Sequence, residues 1–388
     1  MVETMRLSAE VPICISFVGC CLLSLKPKKK QPGGSRTRCF LKLGKVPAGG
    51  LNTPFPTTIA TGDFSGDGRL DFATISGSED TPGLSIVLGN GNGTWVPFSV
   101  LPPTGTWAAA EKIVVTDING DGHPDIVAAI REFHESPLIH YNLHVGSWLG
   151  LGIGLFAQPV EYNTTNSDNI IDPYTLAVAD FDKDGRPDLI VTVGTDEGVL
   201  FYKGNGDGTF QDRVVVISQA QLQSAGLSSL LVSAGAAADI DKDGKMDYVF
   251  ASDTQVWWAK GNGNGTFQTP ALIGSYSKSS SAVIKHVIVG DFDGDGRRDV
   301  AVAGQVFLQT SAGHFTLGQQ IGWGSDTDML AATDLNGDGR PDLVTTGPDA
   351  NHIAVFYTTS GPATQAVIIG GDNQTAVYAS PKTDHALT

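Results

Sequence analysis

The chain has 388 residues, a formal charge of −16 and 48 glycines, a turn-dense and acidic composition that fits an all-β protein. Residues 1–50 hold nine Lys/Arg against two acidic residues, leaving 16 basic and 39 acidic residues for the remainder, so beyond residue 50 no basic stripe exists to neutralise phosphates and nucleic acid is excluded as a partner. All four cysteines (Cys14, Cys20, Cys21, Cys39) precede residue 40, so no disulfide framework holds the rest of the chain.

Taken in chain order, residues 1–38 read as an atypical signal or leader segment outside the fold. VPICISFVGCCLLSL (11–25) is apolar and of signal-peptide length, too short for a comfortable membrane span. The basic run KPKKK (26–30) follows it rather than precedes it, no A-x-A site is present, and FVGC (17–20) only loosely matches a lipoprotein box. Any membrane attachment would run through this leader alone. A strand-like segment, CFLKLGKV (39–46), comes next.

From there a nine-residue loop, D-x-[DNS]-x-D-G-x-x-D, recurs six times, beginning at Asp63, Asp117, Asp180, Asp239, Asp291 and Asp334. Carboxylates at alternate positions converge only if the backbone wraps tightly, which the sixth-position glycine permits. That is calcium-loop chemistry. An EF-hand also needs a glutamate at position twelve and two flanking helices. Position twelve here holds Thr74, Ala128, Val191, Phe250, Val302 and Thr345, and the flanks are β-type runs such as KIVVTDI (112–118) and DLIVTVG (188–194). The loops therefore join strands.

The expected Ca²⁺ ligands are the side chains at positions one, three, five and nine with the backbone carbonyl of position seven. These are Asp63, Ser65, Asp67, Asp71 and Arg69 in loop one, and Asp117, Asn119, Asp121, Asp125 and His123 in loop two. Loop three supplies Asp180, Asp182, Asp184, Asp188 and Arg186; loop four supplies Asp239, Asp241, Asp243, Asp247 and Lys245. Loop five supplies Asp291, Asp293, Asp295, Asp299 and Arg297; loop six supplies Asp334, Asn336, Asp338, Asp342 and Arg340. Loops three, four and five carry four carboxylates, and loop one, with Ser65, ranks weakest. Position two is always apolar and is expected to point into the core.

Each loop leads through two strands into a Gly-rich hairpin and an aromatic, as in LSIVLGNGNGTW (84–95), GVLFYKGNGDGTF (198–210) and QVWWAKGNGNGTF (255–267). A strand follows rather than a helix, so these are Asn-Gly and Asp-Gly turns and not phosphate cradles. Successive loops begin 54, 63, 59, 52 and 43 residues apart. A period of this size with four strands per unit is that of a β-propeller blade. The strand entering each loop is rich in small residues (TLAVAD, SAGAAAD, MLAATD), as suits an innermost strand.

These motifs, over roughly residues 39–380, resemble the FG-GAP/VCBS repeat, the unit of integrin α-subunit propellers and of many secreted microbial proteins. The resemblance implies an all-β propeller spanning 39–388, with calcium-binding blades and adhesion or carbohydrate recognition as frequent roles. Six complete units are countable, with strand-like remnants at 39–46 and 374–380. A seven-bladed ring is favoured on family grounds, with a six-bladed ring as the alternative.

Outside the loops, the insertion REFHESPLIHYNLHVGSW (131–148) concentrates His134, His140, Tyr141, His144 and Trp148. Its H-x5-H-x3-H spacing fits no zinc motif, so a polar, aromatic-bearing binding loop or an ordinary solvated loop is the alternative. Trp257 and Trp258 are adjacent on one strand and face opposite ways. One belongs to the core, and Trp258 packs on the next blade or stacks on a sugar. The segment 213–236 has room for a short helix. No nucleophile elbow, catalytic triad or cofactor fingerprint is recognisable. The expected function is a secreted or cell-surface recognition module for glycans or extracellular protein partners. A propeller-based polysaccharide lyase or hydrolase and a structural module of a larger assembly remain alternatives.

Overall fold

The structure, a computed structural model, describes residues 56–76, 83–101, 107–134, 140–163, 175–193, 198–227, 232–277, 284–320, 329–334, 339–346 and 353–358, save positions 93, 102–106, 253 and 285, together with backbone strands at 13–15, 21–24, 42–45, 365–369 and 376–379. It is an all-β protein, and the described residues form six antiparallel blades and one further three-stranded sheet. Blade one comprises Pro56–Gly62, Asp71–Ser76, Gly83–Gly89 and Trp95–Leu101. Blade two comprises Trp107–Thr116, Asp125–His134, His140–Trp148 and Val160–Asn163. Blade three comprises Thr175–Ala179, Asp188–Val193, Gly198–Tyr202 and Val214–Ile217. Blade four comprises Val232–Ala238, Asp247–Ser252, Gln255–Ala259 and Ala271–Ser275. Blade five comprises Val287–Gly290, Asp299–Val302, Gln305–Ser311 and His314–Gln320. Blade six comprises Met329–Thr333, Asp342–Thr346, Ile353–Tyr357 and Gln365–Ile369, and takes Ala376–Ala379 as a fifth strand.

The first strands of successive blades lie side by side, which is why VSAGAAA and MLAAT hold small residues there. The described residues of the second strands are buried on both faces, and in the inner blades they alternate between two neighbours, as period-two geometry requires. In blade two, Ile126, Ala128 and Ile130 pack toward blade one with Phe64 and Ile86, whereas Val127 and Ala129 pack toward blade three with Leu189 and Val191. The core is thus a series of inter-blade layers.

The Gly-rich segments are hairpins as expected. The Asn205 N–H donates to the Thr209 carbonyl at 2.9 Å, Gly206 and Gly208 hold φ of 79° and 85°, and Phe210 turns inward against Tyr162. Within 213–236 a seven-residue helix, Gln219–Ala225, starts on a Ser218/Gln221 capping box and ends on Gly226 in the left-handed conformation. Its Leu222 is buried with Phe250 and Trp257 between blades three and four.

The terminal strand-like segments pair as well. Lys42–Lys45 joins Cys21–Ser24, which joins Ile13–Ile15, in a three-stranded antiparallel sheet. The Ile13–Ile15 strand lies beside the first strands of both blade one and blade six. Two strands of this sheet fall inside residues 1–38.

Candidate metal centres

Each loop connects the first and second strands of its blade. The side chains at position two are buried as expected, Phe64, Ile118, Phe181, Ile240 and Phe292 all being core residues; Leu335 lies outside the described residues. The aspartate at position one caps the wrap. Asp180 accepts from the N–H groups of Asp184 (3.1 Å) and Gly185 (3.0 Å), and Asp239 accepts from Asp243 (3.1 Å) and Gly244 (3.0 Å). Asp63 and Asp117 do the same in their loops, Asp291 accepts from the N–H groups of Gly294 and Gly296, and Asp334 accepts from Gly339. The position-five aspartates Asp67, Asp121, Asp184, Asp243 and Asp295 each accept the N–H of the position-seven residue, Arg69, His123, Arg186, Lys245 and Arg297 respectively.

Position nine has a structural role that the sequence pattern hid. Asp71, Asp125, Asp188, Asp247, Asp299 and Asp342 are fully buried. In the five loops described in full, one carboxylate oxygen accepts from the loop itself. The donors are the N–H groups of Ser65, Ile118, Phe181, Ile240 and Phe292. The other oxygen accepts from the end of the third strand, at Gly89, Gly150, Gly204, Gly261 and Gln309, with Thr358 in blade six. The ninth aspartate therefore staples loop to hairpin. Burial pushes the carboxyl groups of Asp71, Asp125 and Asp247 above their usual range and those of Asp188 and Asp299 up to about 6, against the opposing pull of the backbone donors.

The carboxylates do converge. Asp180, Asp182 and Asp188 bring oxygens within 4.8 Å of one another, as do Asp239, Asp241 and Asp247, and Asp291, Asp293 and Asp295. The oxygen-only donor set suits a hard cation such as Ca²⁺. In loop four the fit has a sharper sign. The Asp241 side chain is 8% exposed and its Oδ1 is buried without a hydrogen-bond partner, a costly state for a carboxylate oxygen that a cation would relieve.

Two residues absent from the sequence-derived ligand set also enter these loops. Lys203 places its ammonium on Asp182 and, at 2.8 Å, on Asp184; Lys260 places its ammonium on Asp241 and, at 3.0 Å, on Asp243. The Lys203 contact holds Asp184 below the usual carboxylate range. Both lysines sit just before the glycine that staples the ninth aspartate.

The separate ligand-site expectation is redrawn. The segment 131–148 is mostly hairpin rather than loop, with His140 opposite His134 and Tyr141 opposite Phe133 in register; the side chains of His134, His140 and Tyr141 lie outside the described residues. Trp148 is wholly buried in the layer between blades one and two and is corrected from ligand-binding to core, since its position on the strand points it at Phe64 and Phe156. His144 is half-buried on the same strand. Trp257 is core between blades three and four. Trp258 faces the other way, packs with the layer between blades four and five and lies against Gly313, where an added Cβ would come within 2.2 Å of its ring. That is the inter-blade role, not an open sugar platform.

Comparison with known proteins agrees with this architecture. The FG-GAP-like repeat model matches residues 63–128, 180–247 and 239–302, and the FG-GAP repeat model matches 330–379. No curated protein matches. Among solved structures, an Agrocybe aegerita lectin described for specific recognition of non-reducing terminal N-acetylglucosamine is similar, with 20% identity, a TM-score of 0.64, and coverage of 96% of this chain and 92% of the lectin. The V. cholerae biofilm matrix protein Bap1 aligns at 20% identity and a TM-score of 0.36 over 64% of this chain and 37% of its own. With repeats of this description across more than half of its length, the chain belongs to the FG-GAP repeat family.

Proposed function

We propose that this protein is a calcium-binding recognition propeller of the extracellular space, whose loops are held by Ca²⁺ and whose blades present a surface to glycans or protein partners. The observation that carries the calcium reading is the convergence of three carboxylates in loops three, four and five, with a buried, unpartnered Asp241 oxygen at one of them. Bound Ca²⁺ would supply positive charge at the point where mutually repelling carboxylates meet. The chain's own residues do the rest: positions one and three bring their oxygens together in all three loops, joined by position nine in loops three and four and by position five in loop five, while position one also closes the wrap and position nine also ties it to the hairpin. Loops of this kind fill where Ca²⁺ is abundant, which supports an extracellular setting, and residues 1–38 are proposed as the route there. The recognition reading rests on the repeat family and on the likeness of fold to a lectin.

Thermal unfolding in millimolar Ca²⁺ and in calcium-free buffer tests the first part. A rise in Tm with calcium is expected, and no shift would remove the calcium reading. A glycan array probed in calcium, including glycans ending in N-acetylglucosamine, tests the second part. Binding to no glycan there, together with no captured extracellular protein partner, would count against a recognition role.

A further inference from the structure

Calcium need not act alike in all six loops. The residue that precedes the staple donor is Leu88, Leu149, Lys203, Lys260, Leu308 and Tyr357 in blades one to six. In blades three and four, a lysine at this position turns its ammonium onto the carboxylates of positions three and five. Leucine at the same place in blades one, two and five has no charge to offer. Arg69 and Arg297 do pair with the position-five aspartates Asp67 and Asp295, as Arg186 and Lys245 do with Asp184 and Asp243, but among the described residues Lys203 and Lys260 alone add a charge on the position-three carboxylate. We propose that Lys203 and Lys260 are tethered cations that compete with Ca²⁺ in loops three and four, so that these loops close without metal while loops one, two and five depend on it.

The inference rests on the calcium reading above and refines it. One ammonium faces four carboxylates in each of these loops, so it closes the wrap without saturating it. The unpartnered Asp241 Oδ1, left over after Lys260 has bound the other oxygen of that carboxylate, shows that donor capacity remains for an incoming ion. For Ca²⁺ to enter, the lysine must give up two charge-assisted hydrogen bonds. Counting carboxylates alone would rank loops three and four with loop five as the tightest. The lysines reorder this, leaving loop five, with four carboxylates and Leu308, as the tightest.

The test is calorimetric calcium titration of the metal-stripped full chain, alongside its melting in calcium-free buffer. Three proteins are compared: the natural sequence, the double variant Lys203→Met/Lys260→Met, which keeps apolar stems, and Leu308→Lys, which grafts a lysine into loop five. In the double variant two sites are expected to tighten by about ten-fold or more, with a lower Tm without calcium. In Leu308→Lys one site is expected to weaken by a similar factor. Superimposable isotherms for all three would overturn the inference while leaving the calcium reading intact. If the natural protein takes up no calcium, the calcium reading falls. The lysine inference then survives only if the double variant gains uptake, and it falls if that variant also takes up none. Should the double variant fail to fold, Leu308→Lys decides alone, an unchanged isotherm overturning the inference.

Discussion

The ninth aspartate is buried between backbone donors of its own loop and of the end of the third strand, and its removal orphans them. Asp188→Ala leaves the N–H groups of Phe181 and Gly204 without their acceptor, at about 1–3 kcal/mol for each buried donor. A loss of about 2–5 kcal/mol in urea unfolding is expected, even in calcium-free buffer, where a residue that served only as a metal ligand would cost nothing or stabilise. The pH dependence follows from the same burial. Asp188 and Asp299 have folded-state carboxyl groups raised to about 6 from an ordinary 3.8. Between these values the folded protein holds more protons than the unfolded chain, so without calcium stability falls as pH rises from about 4 to about 6. Under the proposed calcium reading, millimolar Ca²⁺ takes the deprotonated loops and is expected to flatten or reverse that slope. Melting curves at pH 4, 5 and 6 with and without the ion read this directly.

At the scale of the element, adjacent tryptophans separate two layers. Trp257→Ala opens a cavity in the layer between blades three and four and is expected to cost about 3–5 kcal/mol. Trp258→Ala, half-buried against blade five, is expected to cost less; equal losses in urea unfolding would contradict this assignment. The loops, their apolar second residues and the Gly-rich hairpins were legible in the sequence because each is decided within about a dozen neighbouring residues by turn chemistry and alternation. The hairpin over 131–148 was not, because Glu132, His134 and His140 lengthen its strands with residues that read as a solvated loop. The lysines were invisible for a different reason. Lys203 and Asp182 stand 21 residues apart and Lys260 and Asp241 19 apart, and only strand pairing brings the end of one hairpin over the preceding loop.

For the whole molecule, the sheet formed by Ile13–Ile15, Cys21–Ser24 and Lys42–Lys45 matters most. Its first strand lies beside blade one and blade six. If it closes the propeller, a protein beginning at residue 39 leaves Lys42–Lys45 without its partner strand and melts below the full chain. Equal melting temperatures would assign the segment to a leader alone, and mass determination of the protein's N-terminus as isolated from its source would show whether it is kept.

The staples have a consequence for how the chain reaches this form. The bond from the ninth aspartate to its hairpin spans 18, 25, 16, 14, 10 and 16 residues in blades one to six. Each unit can therefore complete its own tie soon after its third strand leaves the ribosome, and such short closures are fast. The contact of Ile13–Ile15 with the blade that begins at Met329 waits for nearly the whole polypeptide. Assembly is thus expected to run vectorially, blade upon blade, with the meeting of the two ends as its slow and last event.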